Sequence, residues 1–243
     1  MVEVQIDGVV ARVFLDRPQK ANALDTALLR ELLAVLEKLA KDGAARAVVL
    51  GGRGNAFCGG ADVAELAALD SSTAGGFVER IHAVCEAIRR LPLPVVARLH
   101  GAVIGAGLEI AAACDLRLAA AGTKFAMPEV RLGIPSVVEA ALLPRLMGAG
   151  RAAWLVLTGE AIDARRAYEW GLVEEVCDDL DRGVERVLGS LLAADPQALR
   201  VQKELLQLWE DAPLAASVAT SIERFAQAYA AGPPRRRGGG LPD

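Results

Sequence analysis

No apolar run in this chain reaches the roughly 18 residues that a membrane-spanning helix requires, so no membrane span is expected. Cysteine is sparse: Cys58, Cys85, Cys114 and Cys177 are widely spaced and form no CxxC pair. That spacing lacks the compact zinc and redox motifs, and the four read as reduced thiols or small core residues. Aromatic residues make up only 4% against a hydrophobic fraction of 53%. The core therefore has to be assembled from Ala, Leu and Val. A basic excess is missing too: 31 acidic residues against 27 basic ones leave a net charge of −4, which weighs against general nucleic-acid binding. The opening "MVEVQIDGVV" carries Glu3 and Asp7 but no basic stretch, unlike a secretory signal. These features predict a soluble cytoplasmic protein.

What is present is enough to fold without staples. A chain of 243 residues makes one large domain or two small ones and buries roughly 70 to 75% of its unfolded surface. "VEVQID" and "VVARVFL" flank Asp7-Gly8, a hairpin signal. Asp25 reads as the cap of a helix that ends at Gly43, and residues 75–90 read as another, stopping before Pro92. "RAVVLGG" and "PVVARLHG" read as buried strands, "DLRLAA" and "TKFAM" as shorter ones. From about Ser136 the pattern is almost all helix, in segments near 137–147, 149–157, 163–170, 179–193, 197–209 and 212–230. No internal repeat or linker interrupts it, and "AGPPRRRGGGLPD" reads as a frayed end.

Two strands run into glycine-rich stretches, "VVLGGRGNAFCGGAD" and "VVARLHGAVIGAGLE". A strand that ends where a helix begins leaves backbone amides without partners, and such amides hold negative charge. Nucleotide-binding motifs fail on detail. Leu108 and Glu109 follow the last glycine where a phosphate loop needs Lys-Ser/Thr, and Ile110 stands where a dinucleotide fingerprint needs glycine. Close helix packing remains the alternative use of these glycines. Glu109 is the one charge between Gly101 and Asp115, and Glu129 follows Met127-Pro128 in a second apolar setting. A carboxylate desolvated this way either finds a partner or rises in pKa toward neutrality. Amides that stabilise an oxyanion beside carboxylates that pass protons suit a reaction at the carbon next to a carbonyl.

In combination these segments resemble the crotonase superfamily, the enoyl-CoA hydratase/isomerase family. "LDRPQKANAL", "NAFCGGADVAEL", "HGAVIGAGLEIAAACDLRLAA", "TKFAMPEVRLGIP" and "LTGEAIDARRAYEWGLVEEV" follow the family order, and the likeness spans about residues 2–230. It implies an α/β fold of the crotonase-like (ClpP/crotonase) class, a spiral of ββα units over residues 1–190. A helical C-terminal region at 191–230, supporting a homotrimer or a dimer of trimers, and a flexible tail at 231–243 complete it. The amides of Ala61 and Ala106 align with the two oxyanion donors, although many members have glycine in place of Ala106. Glu109 and Glu129 align with the two catalytic glutamates. Ala21 and Ala23, with Ala61, Asp62, Val63 and Ala64, align with the backbone that contacts coenzyme A. The resemblance implies a variable helix near residues 63–80 that supplies walls of the acyl pocket. The implied reaction is hydration of a trans-2-enoyl-CoA, with Glu109 activating water for C3 and Glu129 protonating C2. It implies no metal and no separate cofactor, coenzyme A being part of the acyl-CoA substrate. A Δ3-Δ2-enoyl-CoA isomerase relying on Glu129, or a catalytically weak acyl-CoA-binding or RNA-binding relative, are the alternatives.

The chain departs from the family pattern after Gly133-Ile134-Pro135, where a glycine-rich stretch is common. Here it reads "SVVEAALLPRL". Ser136-x-x-Glu139 reads as a capping box opening a helix, with Glu139 as a third carboxylate near the acyl pocket the alternative. His100 and Cys58 read as packing residues. Arg235, Arg236 and Arg237 read as solvated tail rather than phosphate ligands.

Overall fold

Every residue of "AVVLGG" is buried in the computed structural model, which describes residues 1–230. This strand, β3 (Ala47–Gly52), lies in a six-stranded sheet. The expected hairpin supplies β1 (Val2–Asp7) and β2 (Val10–Leu15), paired antiparallel from Val2 opposite Leu15 to Asp7 opposite Val10. β2, β3, β4 (Val95–Leu99), β6 (Leu116–Ala120) and β9 (Glu175–Cys177) then run parallel in that order. A second sheet orders β5 (Ala102–Ile104), β7 (Lys124–Ala126) and β8 (Ile162–Asp163).

Side chains alternate across a strand, so a sheet covered on both faces needs apolar residues at every position. Val48 and Leu50 enter the larger core, while Ala47 and Val49 enter a smaller one on the opposite face. The larger core takes the apolar stripes of α1 (Thr26–Asp42), α3 (Ala74–Arg90) and α4 (Ala106–Ala113). The smaller is closed by Leu180, Val184 and Leu188 of α8 (Leu180–Ala193). Each Leu or Val so buried contributes about 1.5–3 kcal/mol. Asp25 caps α1 as expected, accepting from the Leu28 amide at 2.8 Å. The winding is regular: β4 joins the large sheet, β5 the small one, then α4 follows, and β6 and β7 repeat the pair of steps.

The last third departs from the expected run of helices. The helix expected at 137–147 is a 3-10 turn, Val138–Leu142, followed by α5 (Leu143–Met147). Val138 at φ 41 is incompatible with a helix start, and Pro144 fits only the first turn of a new one. β8 and β9 are too short to display a period. In the first half α2 (Val63–Ala68) opens the stretch where the resemblance implies a variable helix, and Asp62 caps it. α6 (Ala149–Thr158), α7 (Ala164–Trp170), α9 (Pro196–Asp211) and α10 (Leu214–Ala228) form as helices. The tail expected at 231–243, with Arg235, Arg236 and Arg237, lies outside the described residues.

One buried ion pair fastens α9 to the core. Lys203 Nζ donates to Ile88 O at 3.0 Å, Leu93 O at 2.9 Å and Asp115 Oδ2 at 2.7 Å. Burial raises the pKa of Asp115 and lowers that of Lys203, so each depends on the other to stay charged. Replacing Lys203 with Met strands Asp115 without its cation, and the unfolding free energy should fall by about 3–5 kcal/mol. Urea denaturation at neutral pH measures this, and an unchanged midpoint would show that the pair adds nothing.

Candidate active site

The two glycine-rich loops are stitched together by backbone. Cys58 N–H donates to Ala102 O and Ile104 N–H donates to Cys58 O, both at 3.0 Å, a parallel bridge between Cys58 and Val103. The approach is too close for side chains. A Cβ on Gly107 would lie 2.7 Å from Cys58 Cβ, and Gly60, at φ 97, would set one 3.0 Å from Ile104 O. Gly105 precedes α4 at φ 52, and the chain then enters the helix at Ala106. Among the described residues, neither the Ala61 nor the Ala106 amide donates a hydrogen bond. Two unpartnered amides thus sit on adjoining loops, one of them at a helix N-terminus where the dipole favours negative charge.

A third segment joins the first loop. Gly59 N–H donates to Ala21 O at 2.8 Å, Leu24 N–H to Gly60 O at 2.8 Å, and Asp62 N–H to Leu24 O at 2.9 Å. Ala21, Ala23, Ala61, Asp62, Val63 and Ala64 therefore form one backbone ridge. The Asp62 carboxylate is committed to it, accepting from the Ala64 amide at 3.0 Å and from Arg17 at 3.1 Å. Sequence reasoning missed the two residues that hold the ridge. Asn22, buried at φ 56, donates to Arg53 O at 2.9 Å and Ala56 O at 2.8 Å. Arg17 pairs with Asp25 at 3.0 Å and with Asp62. An Asn inside "KANAL" was the available signal, since Asn tolerates left-handed backbone.

Glu109 is 4% exposed on α4. Glu129 opens the 3-10 turn Glu129–Leu132 after β7, and its Oε1 lies where a Cβ on Gly105 would collide with it. Only glycine at 105 lets that carboxylate sit against the start of α4. Ser136 Oγ donates to Glu129 Oε2 at 2.9 Å. The pKa of Glu109 is pushed up to about 8, first by burial, then by repulsion from Glu129 and from Glu139, with the Ala140 amide acting the other way. The glutamates separated by 20 positions in the sequence are thus brought into one electrostatic unit beside the Ala106 amide.

The capping-box reading of Ser136 and Glu139 is overturned. Ser136 turns to Glu129, and the 3-10 turn Val138–Leu142 has no side-chain cap. Glu139 is buried, with Oε1 2.7 Å from His82 Nδ1 of α3. Cys58 and His100 hold loops, as expected. The Cys58 thiol is fully buried, 3.2 Å from Asn22 O, and burial pushes its pKa up to about 12, so it is no nucleophile. His100 Nε2 lies 3.0 Å from Gly54 O. A cavity of about 700 Å³ runs between α2, α3 and the turn after β7, lined by Val63, Leu66, Leu69, Phe77, Val78 and Ile134 among others.

Comparison with known proteins places this arrangement. The sequence profile described as enoyl-CoA hydratase/isomerase matches residues 5–231. The chain is 30% identical over 232 residues to a short-chain-enoyl-CoA hydratase of Clostridium acetobutylicum, covering 94% of this chain and 89% of that one. A crotonyl-CoA hydratase of Syntrophomonas wolfei is 33% identical over 201 residues, 80% of this chain and 76% of that one. The crystal structure of an enoyl-CoA hydratase of Mycobacterium smegmatis superposes with a TM-score of 0.92 at 31% identity, covering 94% of this chain and 91% of that one.

The state of Glu109 has a consequence for stability. Its proton is held more tightly in the folded chain than at the ordinary value of 4.5, so the favourable contribution is complete below that value. It is lost as pH rises toward about 8. Glu109→Gln should therefore match the wild type in melting temperature near pH 4.5 and exceed it increasingly up to about pH 8, above which the gap stays constant. Thermal unfolding across that range tests this; parallel curves would place Glu109 in water.

Proposed function

Since the chain belongs to the enoyl-CoA hydratase/isomerase family, whose crotonase-like fold it has, we propose that it adds water to a trans-2-enoyl-CoA, giving a 3-hydroxyacyl-CoA. The observation that carries this reading is the convergence of Glu109 and Glu129 beside an unpartnered helix-terminal amide. In the proposed reaction the thioester oxygen lies between the amides of Ala61 and Ala106. Glu109 takes a proton from water as the water oxygen bonds to C3. The C2–C3 electron pair shifts toward the thioester, and the oxygen's growing charge is met by the two amides, each such donor being worth about 3–4 kcal/mol in the barrier. The proton taken from water passes from Glu109 to Glu129, which delivers it to C2, so both carboxylates return to their starting state. Burial and like-charge repulsion keep Glu109 a strong base once ionised.

The ridge of Ala21, Ala23, Asp62, Val63 and Ala64 offers the coenzyme A moiety a backbone edge, and the apolar cavity offers the acyl chain its space. Coenzyme A enters as part of the substrate, and the proposed reaction uses no separate cofactor. No helix among the described residues is long and apolar enough to cross a membrane, and four buried free cysteines fit a reducing cytoplasm. We further propose a homotrimer or a dimer of trimers. The faces of α9 and α10 leave Trp209, Leu214, Val218, Ile222 and Phe225 46–81% exposed around an open groove, a contiguous apolar patch of the kind that marks an interface.

Hydration of a short trans-2-enoyl-CoA, followed by loss of the conjugated absorbance, tests the reading. The wild type should show kcat/KM rising with pH and levelling above about 8, as Glu109 ionises. Glu109→Gln and Glu129→Gln should each lower it by roughly 10²-fold or more, and the double variant should lose little beyond the worse single one. Full hydration by Glu109→Gln would sink the assignment; isomerisation of a 3-enoyl-CoA surviving in that variant would then favour the isomerase.

For the assembly, light scattering at micromolar concentration should give three or six times the mass of one chain. Ile222→Glu with Phe225→Glu should reduce it toward one. A wild-type monomer would overturn the trimer.

A further inference from the structure

Glu139 is the one buried carboxylate near the paired glutamates to which the hydration reading gives no task. Its placement is unusual in three respects. It is 7% exposed, with Oε2 left without a hydrogen-bond partner among the described residues. Its Oε1 lies 2.7 Å from Nδ1 of His82, a half-exposed side chain on α3. It follows Val138, a β-branched residue at φ 41, a backbone conformation that costs on the order of 1–3 kcal/mol and persists only where surrounding structure enforces it. The turn carrying Glu139 packs against both α3 and α4, so the strained step aims the side chain between them. Its Ala140 amide and its carboxylate both act on Glu109 from that position.

We infer that Glu139, braced by His82, is a positioning residue that sets the proton affinity of Glu109 and with it the pH range in which the site works. This rests on the reading of Glu109 as the proton acceptor. The groups facing Glu109 are few. Glu129 approaches from the turn after β7, Glu139 from the turn after that, and the Cys85 thiol from α3. β5, the other element packed on α4, carries no titratable side chain. Facing Glu139 are His82 and Cys85 of α3 and Glu109 of α4. Arg145, on the neighbouring α5, pairs instead with Asp211 at 3.0 Å. The Cys85 thiol is raised well above its ordinary value, by burial first and then by Glu139 and Glu109, so it stays neutral and leaves the field to the carboxylates. The half-exposed His82 side chain links the protein surface to this buried cluster.

The test follows the titration of Glu109 itself, by the 13C shift of its labelled carboxyl group assigned through Glu109→Gln. Glu139→Gln should move the midpoint to lower pH by roughly one unit, the scale set by a single neighbouring charge. His82→Ala removes the contact that holds Glu139 Oε1, so the carboxylate is no longer fixed against α4 and the midpoint should move in the same direction. His82 lies at the surface, so this variant serves even if Glu139→Gln fails to fold. The ascending limb of kcat/KM for hydration should move with the midpoint. An unchanged midpoint in a folded variant of either kind overturns the inference. A midpoint that moves in a protein without hydratase activity would sink the functional reading and leave only the coupling of Glu139 to Glu109.

Discussion

The site depends on the two-bond clamp between Cys58 and β5. The clamp is short, and it works because Gly60, Gly101 and Gly107 carry no Cβ to hold the loops apart. With the loops locked, three consequences follow without further design. The Ala61 and Ala106 amides come onto adjoining edges. The chain must turn through a positive φ at Gly105 to enter α4. The vacant space at Gly105 becomes the seat of the Glu129 carboxylate. The same glycine therefore serves both the amide and the acid, which explains why Ala is tolerated at position 106 but no side chain fits at 105.

The spiral follows from the same constraint. Each turn must send one strand to the large sheet and one to the small sheet before its helix can close the core. Cys58, pairing with Val103 as a single bridge, is the first turn's contribution to the small sheet, reduced to one residue. That reduction is why no repeat shows in the sequence while the repeat is plain in space.

The large elements were legible because burial writes them into composition. "RAVVLGG" can only be a strand covered on both faces, and Asp25 to Gly43 carries both its cap and its stop. The glutamates were legible as anomalies, lone charges in apolar runs. What escaped was set by contacts distant in the chain. β9 is three residues paired with β6, and nothing local marks it. Ser136-x-x-Glu139 has the composition of a capping box, yet Val138 leaves helical space and sends the two side chains to Glu129 and His82. Local propensity lost there to packing against α3 and α4. The loss falls beside the candidate site, where local rules are most often broken.

Two carboxylates, the partly buried Asp115 and the buried Glu109, show the difference between holding a fold and preparing a reaction. Asp115 receives a cation, Lys203, and an amide, Val95 N–H at 2.7 Å. Glu109 is at least as buried but is set against two like charges, and its raised pKa records the result. The fold is capable of supplying a counterion to a partly buried acid, since it does so for Asp115. Leaving Glu109 without one costs stability at every pH above its ordinary range. Val138 adds backbone strain in the same corner. Unfavourable terms that cluster at one place, in a chain that pairs Asp115 with Lys203 and Arg117 with Glu174, mark the place where a substrate rather than the protein completes the interactions.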